Sequence, residues 1–154
     1  TLLDLQPAAT AIAMAAAVAD HRRAAPLAGK LPKRELEAAL SGGWEPVPDL
    51  LAGLVARRPK GQRILGFAAF SGDDLRPVRA KFARKGCDLL FANPIDQPGA
   101  GFGSATNAGW LLGPGQREQP LARNAKLAIA HQLLSGLGEL LDRGGHEASE
   151  PAGS

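Results

Sequence analysis

The sequence predicts an α/β fold built on a mostly parallel sheet. Three apolar runs, at residues 10–18, 63–70 and 87–92, have the composition of buried strands, and helical patterns occur between them. Strands that alternate with helices pair in parallel through right-handed crossovers. The chain has 154 residues, 45% of them hydrophobic and 21% charged, which suits one globular domain with its own core.

The first part of the chain predicts one strand followed by a long loop. Residues 1–6 read as the end of a helix that stops before Pro7, and the strand at 10–18 comes next, although its alanines also favour helix. Residues 21–46 are broken by glycines and prolines and predict a loop with one weak helical or extended patch at 35–40. Connections this long often act as lids or binding loops.

Helices and strands alternate in the middle of the chain. Residues 48–58 predict a helix, because a Pro-Asp pair suits its first turn and its apolar side chains share one face. The strand at 63–70 is followed by a helix at 73–85. The strand at 87–92 then ends at an Asn-Pro pair.

A hairpin and a helix complete the fold. The glycine-rich stretch 98–104 predicts a loop, and residues 107–121 predict a β-hairpin around a Gly-Pro-Gly turn. The last helix is predicted over 124–141 with Asn124 as its cap, and residues 143–154 predict a disordered tail. The apolar stripe expected on this helix consists of Leu127, Leu134 and Leu141.

Composition excludes several classes of protein. A single cysteine excludes an internal disulfide framework and a cysteine-based zinc site, so a reducing, cytoplasmic compartment is the simplest expectation. No apolar run approaches the roughly 20 residues of a membrane helix. The chain begins at Thr1 with no initiator Met and no signal peptide, so we expect a fragment or a processed product.

The charge pattern points to a small anion, and nucleic acid is not expected as a partner. The net charge is only +3, tyrosine is absent and aromatic residues make up 5%, whereas nucleic-acid binders carry a basic stripe with aromatic residues. The basic residues instead cluster at 22–34 and 76–85. Two short clusters suit a nucleotide or phosphate, and a solvated basic surface is the alternative.

Ligands in parallel sheets bind outside the carboxyl ends of the strands, which directs attention to Asp20, Phe67 and Asn93. Asp20 can hold a ribose hydroxyl or a magnesium ion, or it can cap the following turn. Phe67 can stack on a base or belong to the core. No metal-ligand spacing links the three histidines, and Cys87 reads as a small core residue.

Four lysines are candidates for binding a triphosphate. Lys30 and Lys33 lie in the long loop, where a mobile ammonium group can close over a phosphate and stabilise charge on it. Lys81 and Lys85 are four residues apart on a predicted helix, and their stems can follow the edge of the core. For each pair the alternative is a solvated lysine on the surface.

Three stretches are distinctive in their order and spacing. They are AAVAD at 16–20 with the lysine loop, GFAA at 66–69 with Lys81 and KGCD at 85–88, and ANP at 92–94 with GFGSATN at 101–107. Together they resemble the phosphopantothenate–cysteine ligase domain of the bifunctional bacterial coenzyme A biosynthesis flavoproteins. The resemblance covers residues 11–141.

This resemblance implies a Rossmann-like sheet with flanking helices and a C-terminal hairpin and helix. It implies a ligase domain at 1–142 that lacks its N-terminal segment, and a homodimer. The expected reaction joins L-cysteine to 4'-phosphopantothenate with CTP and Mg²⁺ through an acyl-cytidylate. FMN would bind only to a decarboxylase domain that is absent from this chain.

The resemblance also implies roles for individual residues. Lys30 is expected to be catalytic, and Asp20 is the candidate for a contact to magnesium. Asn93, Phe102 and Asn107 match family motifs without an assigned role. The expected nucleotide-binding residues are Ala15, Ala16, Asp20, Lys30, Pro48, Asp49, Leu50, Phe67, Lys81 and Lys85.

Two other functions are kept as alternatives. A dinucleotide-binding oxidoreductase would carry a glycine fingerprint after its first strand, and the GAGFG stretch does not join a strand to a helix as that fingerprint requires. A catalytically incomplete fragment would keep the fold and act only as a folding or dimerisation module.

Overall fold

The computed structural model describes residues 1–25, 32, 40–99 and 103–147, with the backbone alone for 145–147. It divides into two compact units. Unit 1 comprises Thr1–Ala15 and Leu51–Ser154, and unit 2 comprises Ala16–Leu50. Within the described ranges, no helix combines the length and the apolar character needed to cross a membrane.

Helices and strands alternate along most of the chain, as the sequence predicts. In chain order the elements are α1 (Leu2–Leu5), a 3₁₀ turn (Gln6–Ala8), β1 (Ala11–Met14), β2 (His21–Arg23), β3 (Trp44–Pro46), α2 (Leu50–Ala56), β4 (Arg63–Phe70), α3 (Arg76–Lys85), β5 (Leu89–Pro94), β6 (Thr106–Gly113), β7 (Arg117–Ala125) and α4 (Lys126–Glu147).

Unit 1 is built on a five-stranded sheet with the order β1-β4-β5-β6-β7. The pairs β1–β4 and β4–β5 are parallel, and the pairs β5–β6 and β6–β7 are antiparallel. The predicted α/β fold with a parallel core and a C-terminal hairpin is therefore confirmed.

Alternation along β4 sends side chains to two separate cores. Ile64 and Ala68 belong to a buried cluster with Val78 of α3, on what we call the α3 face of the sheet. Leu65 belongs to a second buried cluster with Leu133 of α4, on the α4 face. The sheet is thus covered on both faces, which explains why the strands in its centre are apolar throughout.

Asp88 binds the beginnings of β4 and β5 together at one edge of the sheet. Its carboxylate accepts hydrogen bonds from the backbone N–H of Ile64 at 2.8 Å and from Arg58 at 2.8 Å, and Arg63 lies 3.5 Å away. Its side chain is only 12% exposed. A carboxylate removed from water in this way requires such partners, so Asp88 fixes the register of the two central strands.

A buried pair of glutamines attaches the N-terminal segment to the same edge. The Gln6 amide donates to the carbonyl of Leu54 at 2.7 Å and to the Gln62 side chain at 3.0 Å. Gln62 donates in return to the carbonyls of Gln6 at 2.8 Å and Ala9 at 2.6 Å. Both amides are buried and hydrogen-bonded, so the segment before β1 is held by specific contacts.

Unit 2 corrects the prediction of a loop over 21–46, because that stretch begins and ends in strands. β2 and β3 pair antiparallel, with Arg22 opposite Glu45 and an ion pair of 2.6 Å between their side chains. The N–H of Ala24 donates to the carbonyl of Gly43 at 2.9 Å. Lys30 and Lys33 therefore lie in sequence between two paired strands. Hydrophobic periodicity did not reveal these strands because both are short and mostly exposed.

The first strand and the last helix differ from their predicted limits. β1 ends at Met14, since the alanine-rich residues after it are exposed and lack the apolar bulk that would bury them. Asn124 lies within β7 opposite Asn107 and does not cap α4. α4 continues to Glu147, so residues 143–147 of the predicted tail are helical, and 148–154 lie outside the described residues.

The predicted apolar stripe of the last helix is also wrong. Leu127 and Leu134 are 71% and 55% exposed, whereas the buried side chains of α4 are Ile129, Leu133 and Leu137. The predicted stripe consists of leucines seven residues apart. The buried side chains of a helix that packs on a sheet instead recur every three or four residues.

Substituting Gly109 tests the close approach of β6 to β5. A Cβ at this position would lie 2.1 Å from the carbonyl oxygen of Ala92, so Gly109→Ala must push the strands apart. We expect a loss of about 1–3 kcal/mol in the free energy of unfolding, measured by urea denaturation.

Gly138→Ala is the matched control, because a Cβ at this position in α4 meets no atom within 4 Å. We expect it to stabilise the chain by about 0.5–1 kcal/mol, since alanine favours helix over glycine. Equal effects of the two substitutions would contradict the strand packing described above.

Candidate functional site

An opening in the sheet lies at the carboxyl end of β1. Met14 pairs with Gly66, and β4 then runs on through Phe67 to Phe70. Along that stretch β4 has no partner on its β1 side among the residues that the structure describes. Ala15 and Phe67 each come directly after the last β1–β4 pair, Met14–Gly66, so both begin at the carboxyl end of that pairing, where parallel sheets bind ligands.

Gly66 permits the packing beneath this opening. A Cβ there would lie 2.8 Å from the side chain of Leu51 and 3.2 Å from the Cys87 sulfur. The glycine of the GFAA motif therefore brings α2 close to the strand. Its role in the structure is packing on the α3 face.

Phe67 and the two helix lysines belong to opposite faces of the sheet. The Phe67 ring is partly buried against the α4-face core and contacts Phe91 edge to face, with centroids 6.0 Å apart. Lys81 and Lys85 lie on α3 and are also partly buried, as expected for lysine stems that follow the protein surface. The phenyl ring and the helix that carries the two lysines therefore lie on different sides of the sheet.

Lys85 also lies toward the other end of the strands from Ala15 and Phe67. α3 begins at the carboxyl edge of β4, and Lys85 is its last residue, three before the Asp88 that binds the beginning of β4. A lysine in the last turn interacts favourably with the helix dipole, which is a structural reason for its position. The structure does not bring Lys85 to the edge occupied by Ala15 and Phe67.

Asn93 and Asn107 are brought together at the carboxyl end of β5. The Asn93 amide donates to Oδ1 of Asn107 at 2.5 Å and to the carbonyl of Ala108 at 3.1 Å. Two motifs that are separate in sequence, ANP and GFGSATN, thus form one hydrogen-bonded feature. Both asparagine side chains are partly buried.

The glycine-rich loop is closed at its base. The hydroxyls of Ser104 and Thr106 both donate to the carbonyl of Gly99, at 3.1 and 2.7 Å. Gly99 has a φ of +78°, and a Cβ there would lie 3.2 Å from Nε of Arg123. Arg123 is a cation beside this loop that sequence reasoning missed, because it lies on a distant strand. Phe102 and Gly101 lie outside the described residues.

Within unit 2, Asp20 meets the Val47–Pro48–Asp49 segment. The backbone carbonyl of Asp20 accepts a hydrogen bond from the N–H of Val47 at 2.9 Å. Asp20 and Ala16 are exposed, and Asp20 follows the end of β1 by six residues, so it does not directly follow a buried strand as predicted. Leu50 begins α2. Lys30 and Lys33 lie outside the described residues.

Possible metal ligands do not cluster in the part of the chain that the structure describes. Across the described ranges, no three His, Cys, Asp or Glu side chains come together in a group that could hold a metal ion. Cys87 is buried, as predicted, and this burial raises the pKa of its thiol. A thiol that stays protonated is a poor nucleophile, which supports its assignment to the core.

The arrangement defines an α/β domain whose parallel strands end at an open edge lined by motif residues. A family profile described as the DNA/pantothenate metabolism flavoprotein C-terminal domain matches residues 1–140. The chain belongs to this family.

Curated relatives agree with this assignment. The chain is 37% identical over 140 residues to the coenzyme A biosynthesis bifunctional protein CoaBC of Mycobacterium tuberculosis, a match covering 85% of this chain and 33% of the relative. It is 35% identical over 130 residues to CoaBC of Escherichia coli K12, covering 83% of this chain and 31% of that protein. The chain thus spans about a third of the relatives it matches.

Solved structures share the fold. The C-terminal domain of a CoaBC protein superposes with a TM-score of 0.67 at 23% identity, covering 92% of this chain and 62% of that one. A DNA/pantothenate metabolism flavoprotein from Streptococcus pneumoniae gives a TM-score of 0.60 at 16% identity, covering 90% and 66%. At these identities the likeness concerns the fold.

The burial of Cys87 can be tested with a thiol reagent. Because the chain has one cysteine, labelling by Ellman's reagent reports on this thiol alone. We expect very slow labelling of the native protein at neutral pH and one equivalent of rapid labelling in urea, since burial both shields the sulfur and raises its pKa. Rapid labelling without denaturant would contradict the core assignment.

Proposed function

We propose that the complete protein joins L-cysteine to 4'-phosphopantothenate with CTP, as a phosphopantothenate–cysteine ligase of coenzyme A biosynthesis. The family match over residues 1–140 carries the proposal, and relatives named as coenzyme A biosynthesis proteins support it. The open carboxyl edge beside Ala15 and Phe67 is the place where such a sheet binds ligands.

In the proposed reaction a carboxylate oxygen of 4'-phosphopantothenate attacks the α-phosphorus of CTP. The bond between the α-phosphorus and its bridging oxygen breaks, and pyrophosphate leaves. The cysteine amine then attacks the acyl carbon, CMP leaves with the anhydride oxygen, and the amine gives up a proton as the amide forms. The protein contributes orientation and stabilisation of charge.

Each residue role in this proposal is carried over from the family resemblance. Lys30 stabilises charge on the transferring phosphorus, and Asp20 contacts the nucleotide. In unit 1 the backbone of Ala15 and Phe67 borders the nucleotide. The remaining proposed contacts are Ala16, Pro48, Asp49, Leu50 and Lys81. Lys85 is left out, because the structure places it toward the opposite end of the strands.

The proposal includes a magnesium ion that arrives with the nucleotide and takes one ligand from the protein. Mg²⁺ is commonly held by one or two carboxylates together with substrate phosphates and water, and Asp20 offers an exposed carboxylate. When bound, Mg²⁺ would neutralise phosphate charge. We also propose that FMN belongs to a separate decarboxylase domain.

A homodimer is part of the same proposal. Three apolar side chains of unit 2, Val18, Leu40 and Trp44, are 43%, 61% and 46% exposed. Exposed apolar side chains on one small unit support burial against a second copy. The mass measured by light scattering would decide between monomer and dimer.

The alternative functions make different predictions. A dinucleotide-binding oxidoreductase would bind NADPH in preference to CTP, and calorimetric titration with both ligands separates the two readings. An incomplete fragment would fold but show no ligation until the remaining two thirds of a CoaBC-like protein are supplied.

Substituting Lys30 tests the proposed chemistry. In the complete enzyme we expect Lys30→Ala to lower turnover by about 10²-fold, as for a lost group that stabilises transition-state charge. The measurement is CTP-dependent release of pyrophosphate.

Lys60→Ala is the matched control, since Lys60 is an exposed lysine before β4, at the opposite edge of the sheet. We expect it to leave turnover unchanged. If Lys30→Ala releases pyrophosphate at the control rate, Lys30 does not have the proposed role.

A further inference from the structure

Resting on the proposed function, we infer that Asn107 donates a hydrogen bond to a substrate oxygen and that Asn93 is the positioning residue that orients it. The Asn93–Asn107 pair joins the end of β5 to the beginning of β6. No role for either residue follows from the sequence motifs alone.

The peptide groups of Ala108 fix the orientation of both amides. The N–H of Ala108 donates to the Asn107 side chain at 2.9 Å, so the Asn107 atom at that point must be Oδ1. The carbonyl of Ala108 accepts from the Asn93 side chain at 3.1 Å, so the Asn93 atom there must be Nδ2. Nδ2 of Asn93 therefore faces Oδ1 of Asn107, and the two amides cannot flip without losing backbone hydrogen bonds.

This orientation directs the NH₂ group of Asn107 away from the pair. Oδ1 of Asn107 already accepts two hydrogen bonds, from Asn93 and from the N–H of Ala108. The donor group of Asn107 is consequently presented in a fixed direction. A preorganised donor is more effective than a mobile one, because no further ordering is needed when the ligand binds.

The pair lies at the edge and on the face where Phe67 lies. Phe67 pairs with Phe91 in the sheet, and Ala69 pairs with Asn93, so alternation places Phe67, Ala69 and Asn93 on the α4 face. Ala69 is small and exposed, which leaves room between the phenyl ring and the asparagines. A ligand at the open edge beside Phe67 can therefore reach this pair.

An amide NH₂ recognises acceptor oxygens and does not bind cations. The two larger of the three proposed substrates carry several such oxygens, CTP in its phosphates and base carbonyl, and 4'-phosphopantothenate in its phosphate, amide and carboxylate. The inference is that one of these oxygens accepts from Asn107. If the oxygen belongs to CTP, the Asn107 side chain affects the KM for CTP. If it belongs to 4'-phosphopantothenate, the side chain affects the KM for that substrate.

The substitution Asn107→Asp, made in the complete enzyme, separates binding from structure. The aspartate keeps Oδ1 and so keeps the hydrogen bonds from Asn93 and Ala108, but it replaces the donor by a negatively charged acceptor. We expect the urea midpoint to stay unchanged while kcat/KM falls by roughly 10- to 100-fold. A rise in KM for CTP or for 4'-phosphopantothenate identifies the oxygen's source.

Asn124→Asp is the matched control. Asn124 is the cross-strand neighbour of Asn107 on β7, and its Oδ1 accepts from the N–H of Ala125 at 2.8 Å, so the same change again keeps the acceptor and adds one charge. We expect wild-type kinetics from this variant. An equal loss in both variants would overturn the inference, because it would show a general charge effect.

Asn93→Ala provides a second test if Asn107→Asp does not fold. Releasing the Asn107 amide should raise the same KM as Asn107→Asp by a smaller factor. Wild-type kinetics in Asn107→Asp would overturn the inference. If that variant does not fold, wild-type kinetics in Asn93→Ala would overturn it. An absence of CTP-dependent ligation by the wild-type enzyme would instead refute the proposed function.

Discussion

The parallel pairing of β4 with β5 determines how the side chains of unit 1 are distributed between the two faces of its sheet. Six residue pairs run from Leu65–Leu89 to Phe70–Pro94, and the Asp88 carboxylate anchors the beginnings of both strands. This register decides which side chains face α3 and which face α4. It therefore decides that Phe67, Ala69 and Asn93 share one face, and a slip of one residue would send each of them to the other side.

The second constraint is the difference in length between neighbouring strands. β1 stops at Met14, opposite Gly66, while β4 continues for four residues. Because β1 is the shorter strand, the backbone of β4 after Gly66 is not paired with β1. Two glycines allow close packing around this opening. The Leu51 side chain packs where a Cβ of residue 66 would lie, and the carbonyl oxygen of Ala92 lies where a Cβ of residue 109 would clash. The opening is thus supported by tight packing below and beside it.

Much of this fold was predictable from hydrophobic patterning, and the exceptions share a physical cause. β4 and α2 carry strong apolar signals, the β6–β7 hairpin is marked by its Gly-Pro-Gly turn, and the structure contains all three. β2 and β3 were missed because each has three residues and little burial, so they leave no periodic signal. The stripe on α4 failed because Leu127 and Leu134 are apolar yet exposed, and sequence does not reveal which face meets the sheet. In the candidate site, the sequence motifs drew attention to Asn93 and Asn107. The hydrogen bond between them could not be predicted, because it depends on how β5 pairs with β6 and the distance between the motifs in sequence does not determine that pairing.

We propose that substrate binds at the carboxyl ends of β1, β4 and β5. A crystal structure of the complete enzyme with CTP and 4'-phosphopantothenate tests it most directly. We expect ligand density beside Ala15 and Phe67, with a substrate oxygen within about 3.2 Å of the Asn107 side chain, the usual limit of a hydrogen bond. Nucleotide bound at the opposite end of the strands, beside Gln62 and Asp88, would show that this proposal is wrong.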